Sequence, residues 1–157
     1  MNKLKTINLT KGKQAIVDSE DYEMLIQFNW HYNTEGYAMR TVNHSGKLSM
    51  HRQLMGDKQG HVIDHVDGNG LNNSRTNLRH ATHKENMRNR KLQTNNTSGF
   101  KGVYWKPIKQ KWEAAIRISN QYKYLGAFIS KVEAARAYNR AAIEHYGIFA
   151  KLNEIKE

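Results

Sequence analysis

The run Val62-Ile-Asp-His-Val-Asp-Gly-Asn-Gly-Leu-Asn-Asn-Ser-Arg-Thr-Asn-Leu-Arg79 constrains this chain more than any other stretch. Val62 and Ile63 read as the end of a strand. Asp67-Gly-Asn-Gly70 reads as a turn, because Gly and Asn accept positive φ at little cost. From Ala81 to Arg90 a series of good helix formers runs without Gly or Pro. A strand end therefore presents Asp64 and His65, a loop turns back, and a helix presents Asn86. Asp64 and His65 are chain neighbours, so a regular strand points them to opposite faces. One shared site would require a turn or bulge there, which the Gly-rich loop just downstream makes plausible.

These residue types suit phosphodiester hydrolysis. That reaction needs a water made nucleophilic and a place for charge on the leaving oxygen. His is the side chain whose ordinary pKa lies near neutrality, so His65 can take the proton of a water. A divalent ion between the Asp64 carboxylate, the Asn86 carboxamide and the scissile phosphate would stabilise the developing charge. Oxygen donors of this kind suit Mg²⁺, with Mn²⁺ as the alternative. Taken singly, each residue has a plainer reading: an Asp-His pair is common, Asp67 to Gly70 makes an ordinary hairpin turn, and Asn77 makes an ordinary helix N-cap. A Ca²⁺ loop built on Asp64, Asn69 and Asn72 lacks the spacing and the terminal Glu of an EF-hand.

Taken together, Met50-His-Arg, Asp64-His65, Asn77 and Asn86 resemble the HNH endonucleases, in the branch found in phage and intron-encoded homing enzymes. The resemblance covers roughly Met50 to Arg90, and the third residue of the name is Asn86 here. It implies a ββα-metal fold, His65 as general base, Asp64 and Asn86 as ligands of the divalent ion, and Asn77 as the brace of the loop. His51 and Arg52 open a short helix that ends at Gly56, where either could reach a phosphate or brace the site. Lys84, Arg88, Asn89, Arg90 and Lys91 make the far helix basic, as a phosphate-contacting surface would be.

Composition agrees with a nucleic-acid partner. Lys and Arg number 25 against 14 Asp and Glu, a formal net charge of +11, and such a field attracts phosphate. The chain has no Cys, which excludes disulfides and Cys-based zinc sites. No segment is long and apolar enough for a membrane span, and the N-terminus lacks the apolar stretch of a secretion signal. The expectation is a cytoplasmic protein of phage or mobile-element type, monomeric, with double-stranded DNA as partner and neither a membrane nor a small-molecule substrate.

Four parts follow from composition and periodicity. Residues 1–49 read as a small mixed α/β lead-in. It has a strand at Lys13 to Val17 and a helix capped by Asp18 or Ser19 that runs through Phe28 on Tyr22, Leu25 and Ile26. Three strands follow at Trp30 to Tyr32, Tyr37 to Val42 and Lys47 to Met50, separated by Thr34 to Gly36 and Asn43 to Gly46. Trp30, Tyr32 and Tyr37 are read as core aromatics. Residues 50–90 hold the nuclease motif, and 91–98 form a polar linker.

Residues 99–157 form a separate module. Three strands lie at Gly102 to Lys106, Lys111 to Ile118 and Tyr122 to Phe128. A helix capped by Ser130, with Glu133 at capping-box spacing, runs to about His145. Ala134, Ala135, Ala137, Tyr138, Ala141 and Ala142 give that helix a small-residue face. On Ser98-Gly-Phe-Lys-Gly-Val, Lys111-Trp-Glu-Ala-Ala-Ile-Arg117, Leu125-Gly-Ala-Phe, Glu133-Ala-Ala-Arg-Ala-Tyr138 and Gly147-Ile-Phe-Ala-Lys-Leu-Asn153, this stretch resembles the AP2/ERF DNA-binding domain. The resemblance implies a three-stranded antiparallel sheet laid into the DNA major groove. Alternation points Val103, Trp105, Trp112, Ala114, Ile116 and Leu125 to the helix. It points Tyr104, Lys106, Glu113, Ala115, Arg117, Tyr122 and Tyr124 to DNA, with Lys101 at the edge. Arg117 is the base-reading candidate, since Arg grips guanine through two bonds. Plant members carry several Arg on this face, where Tyr104, Ala115 and Tyr122 stand here, so their GC-rich target is not carried over.

The fold class expected is α+β, and the function expected is metal-dependent, sequence-directed DNA cleavage of the homing type, one strand per active site. The alternative is a non-catalytic DNA-binding regulator that uses the C-terminal sheet.

Overall fold

The computed structural model describes residues 3–43, 46–90, 92 and 94–155. The expected turn residues His44 and Ser45, the basic Lys91 and part of the 91–98 linker lie outside them. The chain is α+β, built from four small antiparallel sheets and four α-helices among the described residues. It divides into two compact units, residues 1–86 and 87–157.

The first unit opens on a hairpin. Strands β1 (Leu4–Asn8) and β2 (Gln14–Asp18) pair antiparallel, Leu4 opposite Asp18. Alternation on β2 buries Ala15 and Val17 completely. β1 is an element the periodicity did not announce, because only Ile7 of its five residues is buried. Helix α1 (Ser19–Leu25) follows. Asp18 stands at its N-cap position but makes no side-chain cap bond there. Its carboxylate instead accepts from the Arg75 backbone N–H at 2.7 Å. The helix ends at Leu25, short of the expected Phe28, and Ile26 is exposed. The Trp30 indole N–H donates to the Leu25 carbonyl at 2.8 Å, and Phe28 lies under the Arg40 guanidinium. Both partners draw the chain out of helical phase.

Strands β3 (His31–Tyr32), β4 (Ala38–Val42) and β5 (Gly46–Ser49) form the second sheet, and α2 (Met50–Met55) leaves its end. Ile7, Val17, Leu25, Trp30, Ala38, Met50, Leu54 and Leu78 meet in one core with Tyr32 packed against it. The lead-in and the motif segment thus share a single apolar centre.

Strands β6 (Val62–His65) and β7 (Leu78–Ala81) then pair antiparallel, with Asp64 opposite Arg79 and His65 opposite Leu78. The sequence suggested helix from Ala81 and no strand before it. The structure puts β7 there and begins α3 (His83–Arg88) two residues later. A reciprocal cap sets the boundary: the Glu85 carboxylate accepts from the Thr82 N–H and hydroxyl, both at 2.8 Å, while the Thr82 hydroxyl faces the Glu85 N–H at 3.3 Å.

In the second unit, β8 (Val103–Lys106), β9 (Lys111–Ile118) and β10 (Gln121–Phe128) form an antiparallel sheet of order β10-β9-β8. Ser130 caps α4 (Lys131–Tyr146) by accepting from the Val132 N–H at 3.1 Å. The alanines of α4 lie against Val103, Ala114 and Ile116, as the small-residue spacing requires. Trp105 departs from the expected pattern: it is 42 % exposed. It stands on the edge strand opposite Trp112 and meets that ring edge-on at 5.1 Å, so its cross-strand neighbour rather than α4 covers it. Glu113, expected on the outward face, is buried and bonded to Lys109 at 2.7 Å.

The Asp18 contact generates a prediction. Asp18→Ala removes the buried Asp18 side chain's bond to the Arg75 backbone N–H and should destabilise the chain by about 2 kcal/mol. Urea unfolding measures the loss, and amide exchange should rise first across residues 71–77.

Candidate functional site

The loop between β6 and β7 has little regular structure, yet polar bonds define it throughout. Gly68 takes a positive φ of 72°, and Asn69 and Gly70 do not. Gly70 is small for another reason: a Cβ there would stand 2.6 Å from the Gly36 carbonyl and 2.7 Å from the Tyr37 ring. The Asp67 carboxylate accepts from the Asn69 N–H at 2.7 Å, the Asn72 amide at 2.8 Å and the Asn77 amide at 3.0 Å. These bonds hold the Asp67 carboxyl below its ordinary pKa against the opposing effect of burial. Asn77 is buried and fully engaged. Its amide also donates to the Asn72 carbonyl at 2.7 Å, and its oxygen accepts from the Asp67 N–H at 3.0 Å.

The loop is also fastened from outside. The Ile16 N–H donates to the Leu71 carbonyl and the Asn73 N–H to the Ile16 carbonyl. The Arg75 guanidinium grips Asp21 through Nε at 2.8 Å and Nη2 at 2.6 Å.

His65 and Asp64, at the end of β6, are both 5 % exposed. β6 and β7 pair in register with no bulge at either residue. The two side chains have different surroundings. The Asp64 Oδ2 accepts from Arg79 Nε at 2.8 Å and Nη2 at 2.6 Å. The His65 ring stands edge-on to His51, centroids 5.1 Å apart, and 5.8 Å from Tyr37. Burial lowers the His65 pKa, while Asn73, Asp67 and Asp64 work in the opposite direction. The imidazole is therefore neutral at pH 7 and able to accept a proton.

His51 bonds the Ser49 hydroxyl through Nε2 at 2.9 Å. Its Nδ1 is buried and makes no hydrogen bond among the described residues. Burial, with His65 and Arg52 nearby, lowers its pKa to about 4.

Asn86 is half-buried on α3, and no hydrogen bond among the described residues engages its carboxamide. Among the described residues no group of three or more His, Cys, Asp and Glu could hold a metal. A carboxylate and a carboxamide nevertheless fit a hard cation that keeps several waters, as Mg²⁺ does. Asp64 Oδ2 already has a cationic partner, the Arg79 guanidinium.

The other candidate residues are spread over both units. Arg52 and Lys84 are exposed on α2 and α3, and Arg90 is exposed beyond α3. Arg88 lies over the Tyr146 ring at 4.6 Å. Lys101 is not at an open edge: its Nζ donates to the Arg88 and Arg90 carbonyls, and burial lowers its pKa to about 8. Tyr104, Lys106, Arg117, Tyr122 and Tyr124 are exposed on the second unit's sheet. Arg117 lies opposite Tyr122 and 5.7 Å above its ring.

Sequence reasoning did not link Tyr37, Asn73, Arg75 and Arg79 to the site. Arg79 was reachable: reading Leu78-Arg-His-Ala as a strand would have placed it opposite Asp64.

The low His51 pKa has a consequence for stability. In the unfolded chain this group titrates near 6.5, in the folded chain near 4. The unfolded state binds the extra proton between these values, so stability is full above pH 6.5 and falls as pH drops toward 4. We expect His51→Gln to remove on the order of 2 kcal/mol of that pH dependence, measured by urea midpoints from pH 4 to 7.5.

Residues 57–88 match the family model described as HNH endonuclease. The chain is 29 % identical over 152 residues to an uncharacterised HNH endonuclease of Acanthamoeba polyphaga mimivirus, covering 92 % of this chain and 77 % of that protein. It is 45 % identical over 58 residues to Protein 3.8 of Escherichia phage T7, covering 37 % of this chain and 48 % of that protein. It is 33 % identical over 81 residues to an ethylene-responsive transcription factor-like protein of Arabidopsis thaliana, across 50 % of this chain and 35 % of that protein. No solved structure matches the chain. The segment from β6 to α3, with Asp64, His65, Asn77 and Asn86, thus lies within a match to the HNH endonucleases.

Proposed function

We propose that this chain is a divalent-metal-dependent, sequence-directed DNA endonuclease of the homing type. It acts as a monomer and cuts one strand per active site. The observation that carries this reading is the buried His65 imidazole next to Asp64, on a strand whose following loop is locked by Asn77. β6, β7 and α3 then form the ββα-metal arrangement. Asp64 and Asn86 would hold the ion, Mg²⁺ by preference. When bound, the ion supplies positive charge at the scissile phosphate.

The chain's own residues do the rest. His65 takes a proton from a water as its oxygen attacks phosphorus, and the bond to the leaving oxygen breaks. Burial favours the neutral imidazole that this step needs. Asn77 acts on the reaction only through the loop, so it is a positioning residue. Arg52, Lys84, Arg88 and Arg90 supply charge for the DNA backbone.

The second unit serves as an AP2/ERF-like reader of the duplex. Its exposed Tyr104, Lys106, Arg117, Tyr122 and Tyr124 suit groove and phosphate contact, and the plant relative supports this use of the fold. Arg117 is the residue with the reach and fork for a base edge.

Plasmid nicking with and without Mg²⁺ is the deciding experiment. His65→Ala should lower the cleavage rate by about 10²–10⁴ while leaving DNA affinity nearly unchanged; wild-type cleavage by the variant would remove His65 as base. EDTA should stop cleavage without unfolding the chain, and Asp64→Ala or Asn86→Ala should each collapse activity. For the second unit, Arg117→Ala should cost about 1–3 kcal/mol of binding and relax preference at one base position. Lys106→Ala should weaken all sequences alike. Binding to a randomised duplex pool across salt concentrations reads both.

A further inference from the structure

Arg79 sits directly across the ladder from Asp64, and its Nε and Nη2 both donate to Oδ2. The side chains are 15 % and 5 % exposed. An ionised carboxylate this deep is costly to hold without a counter-charge, and removing one member of such a pair strands the other. The same carboxylate is the one that would bind a divalent ion. Such an ion cannot take Oδ2 while the guanidinium fork covers it. At Oδ1 it would stand within a few ångströms of a like charge in a poorly screened place.

We propose that Arg79 is the counter-ion that Asp64 exchanges for the divalent cation. In the metal-free chain the guanidinium neutralises Asp64 and keeps the β6–β7 ladder folded. When the cation arrives, Arg79 gives up Oδ2. This role rests on the reading of Asp64 as a ligand. Arg79 is thus a positioning residue for the ligand, in competition with the ion.

The test is made on the full chain with Mn²⁺ alone as probe, at fixed pH and without DNA. Mn²⁺ affinity is read by paramagnetic resonance, and thermal unfolding by circular dichroism in EDTA and in Mn²⁺. Arg79→Met should unfold at lower temperature than wild type in EDTA, gain more from Mn²⁺ than wild type does, and bind Mn²⁺ about tenfold more tightly. The double variant Asp64→Asn with Arg79→Met should recover metal-free stability and lose the gain from Mn²⁺.

If Arg79→Met does not fold in EDTA, folding on addition of Mn²⁺ supports the exchange. If it folds in neither, a folded double variant still supports it, and an unfolded double variant overturns it. Equal Mn²⁺ affinity and equal thermal gain in wild type and Arg79→Met overturn it as well. Asp64→Asn alone separates the two ideas. Should it leave Mn²⁺ binding intact, the ligand reading fails and the exchange with it. Should it weaken Mn²⁺ while Arg79→Met does not strengthen it, the exchange alone fails.

Discussion

The loop from Asp67 to Asn77 has little regular secondary structure, and its polar bonds are the constraint on which the candidate site depends. It sits between the strand that carries His65 and the strand that carries Arg79, so its shape sets the ladder between them. Backbone polar groups in such a segment need partners when they are buried. Asp67 and Asn77 satisfy part of this need from within, through a carboxylate and a carboxamide whose oxygens and nitrogen all make bonds. From outside, Ile16 of β2 and Asp18 bond the loop backbone, and Asp21 of α1 holds the Arg75 guanidinium. The N-terminal hairpin is therefore part of the support of the site. A segment first read as a lead-in supplies the wall against which the loop is set.

Charge is handled differently on the two sides of β6. The buried Asp64 carboxylate has the Arg79 guanidinium opposite it in the ladder. His65 and His51 stand edge to edge, and burial lowers the pKa of both, aided at His51 by the nearness of His65 and Arg52. On the function proposed above, a carboxylate and a buried imidazole on consecutive residues would supply a ligand and a base for metal-assisted hydrolysis.

The second unit solves a simpler packing problem. α4 presents Ala134, Ala135, Ala137, Ala141 and Ala142, which let the helix approach a three-stranded sheet closely. That leaves the opposite face of the sheet uncovered, and its exposed residues are aromatic and basic rather than apolar. Glu113 is the exception on that face, neutralised by Lys109. The Glu113 carboxyl is held below its ordinary pKa first by that bond.

What the sequence by itself determined is the local order of the chain. The strands at Val103–Lys106, Lys111–Ile118 and Gln121–Phe128 and the helix at Lys131–Tyr146 follow from periodicity and from Ser130 as a cap, signals that act within a few residues. The adjacency of Asp64 and His65 was legible because they are chain neighbours. β1 and β7 were not, because four or five residues with one or two buried positions have no periodicity to read. α1 ended early at Leu25, where Trp30 takes the Leu25 carbonyl and Arg40 covers Phe28, and Asp18 turned from its helix to the distant Arg75. Tyr37 and His51 reach His65, and Arg79 reaches Asp64, only once β4, α2 and β7 have packed. Tertiary structure decided these pairings because buried charge and buried polar groups take their partners from whatever the fold brings near, and that nearness is not encoded in local spacing.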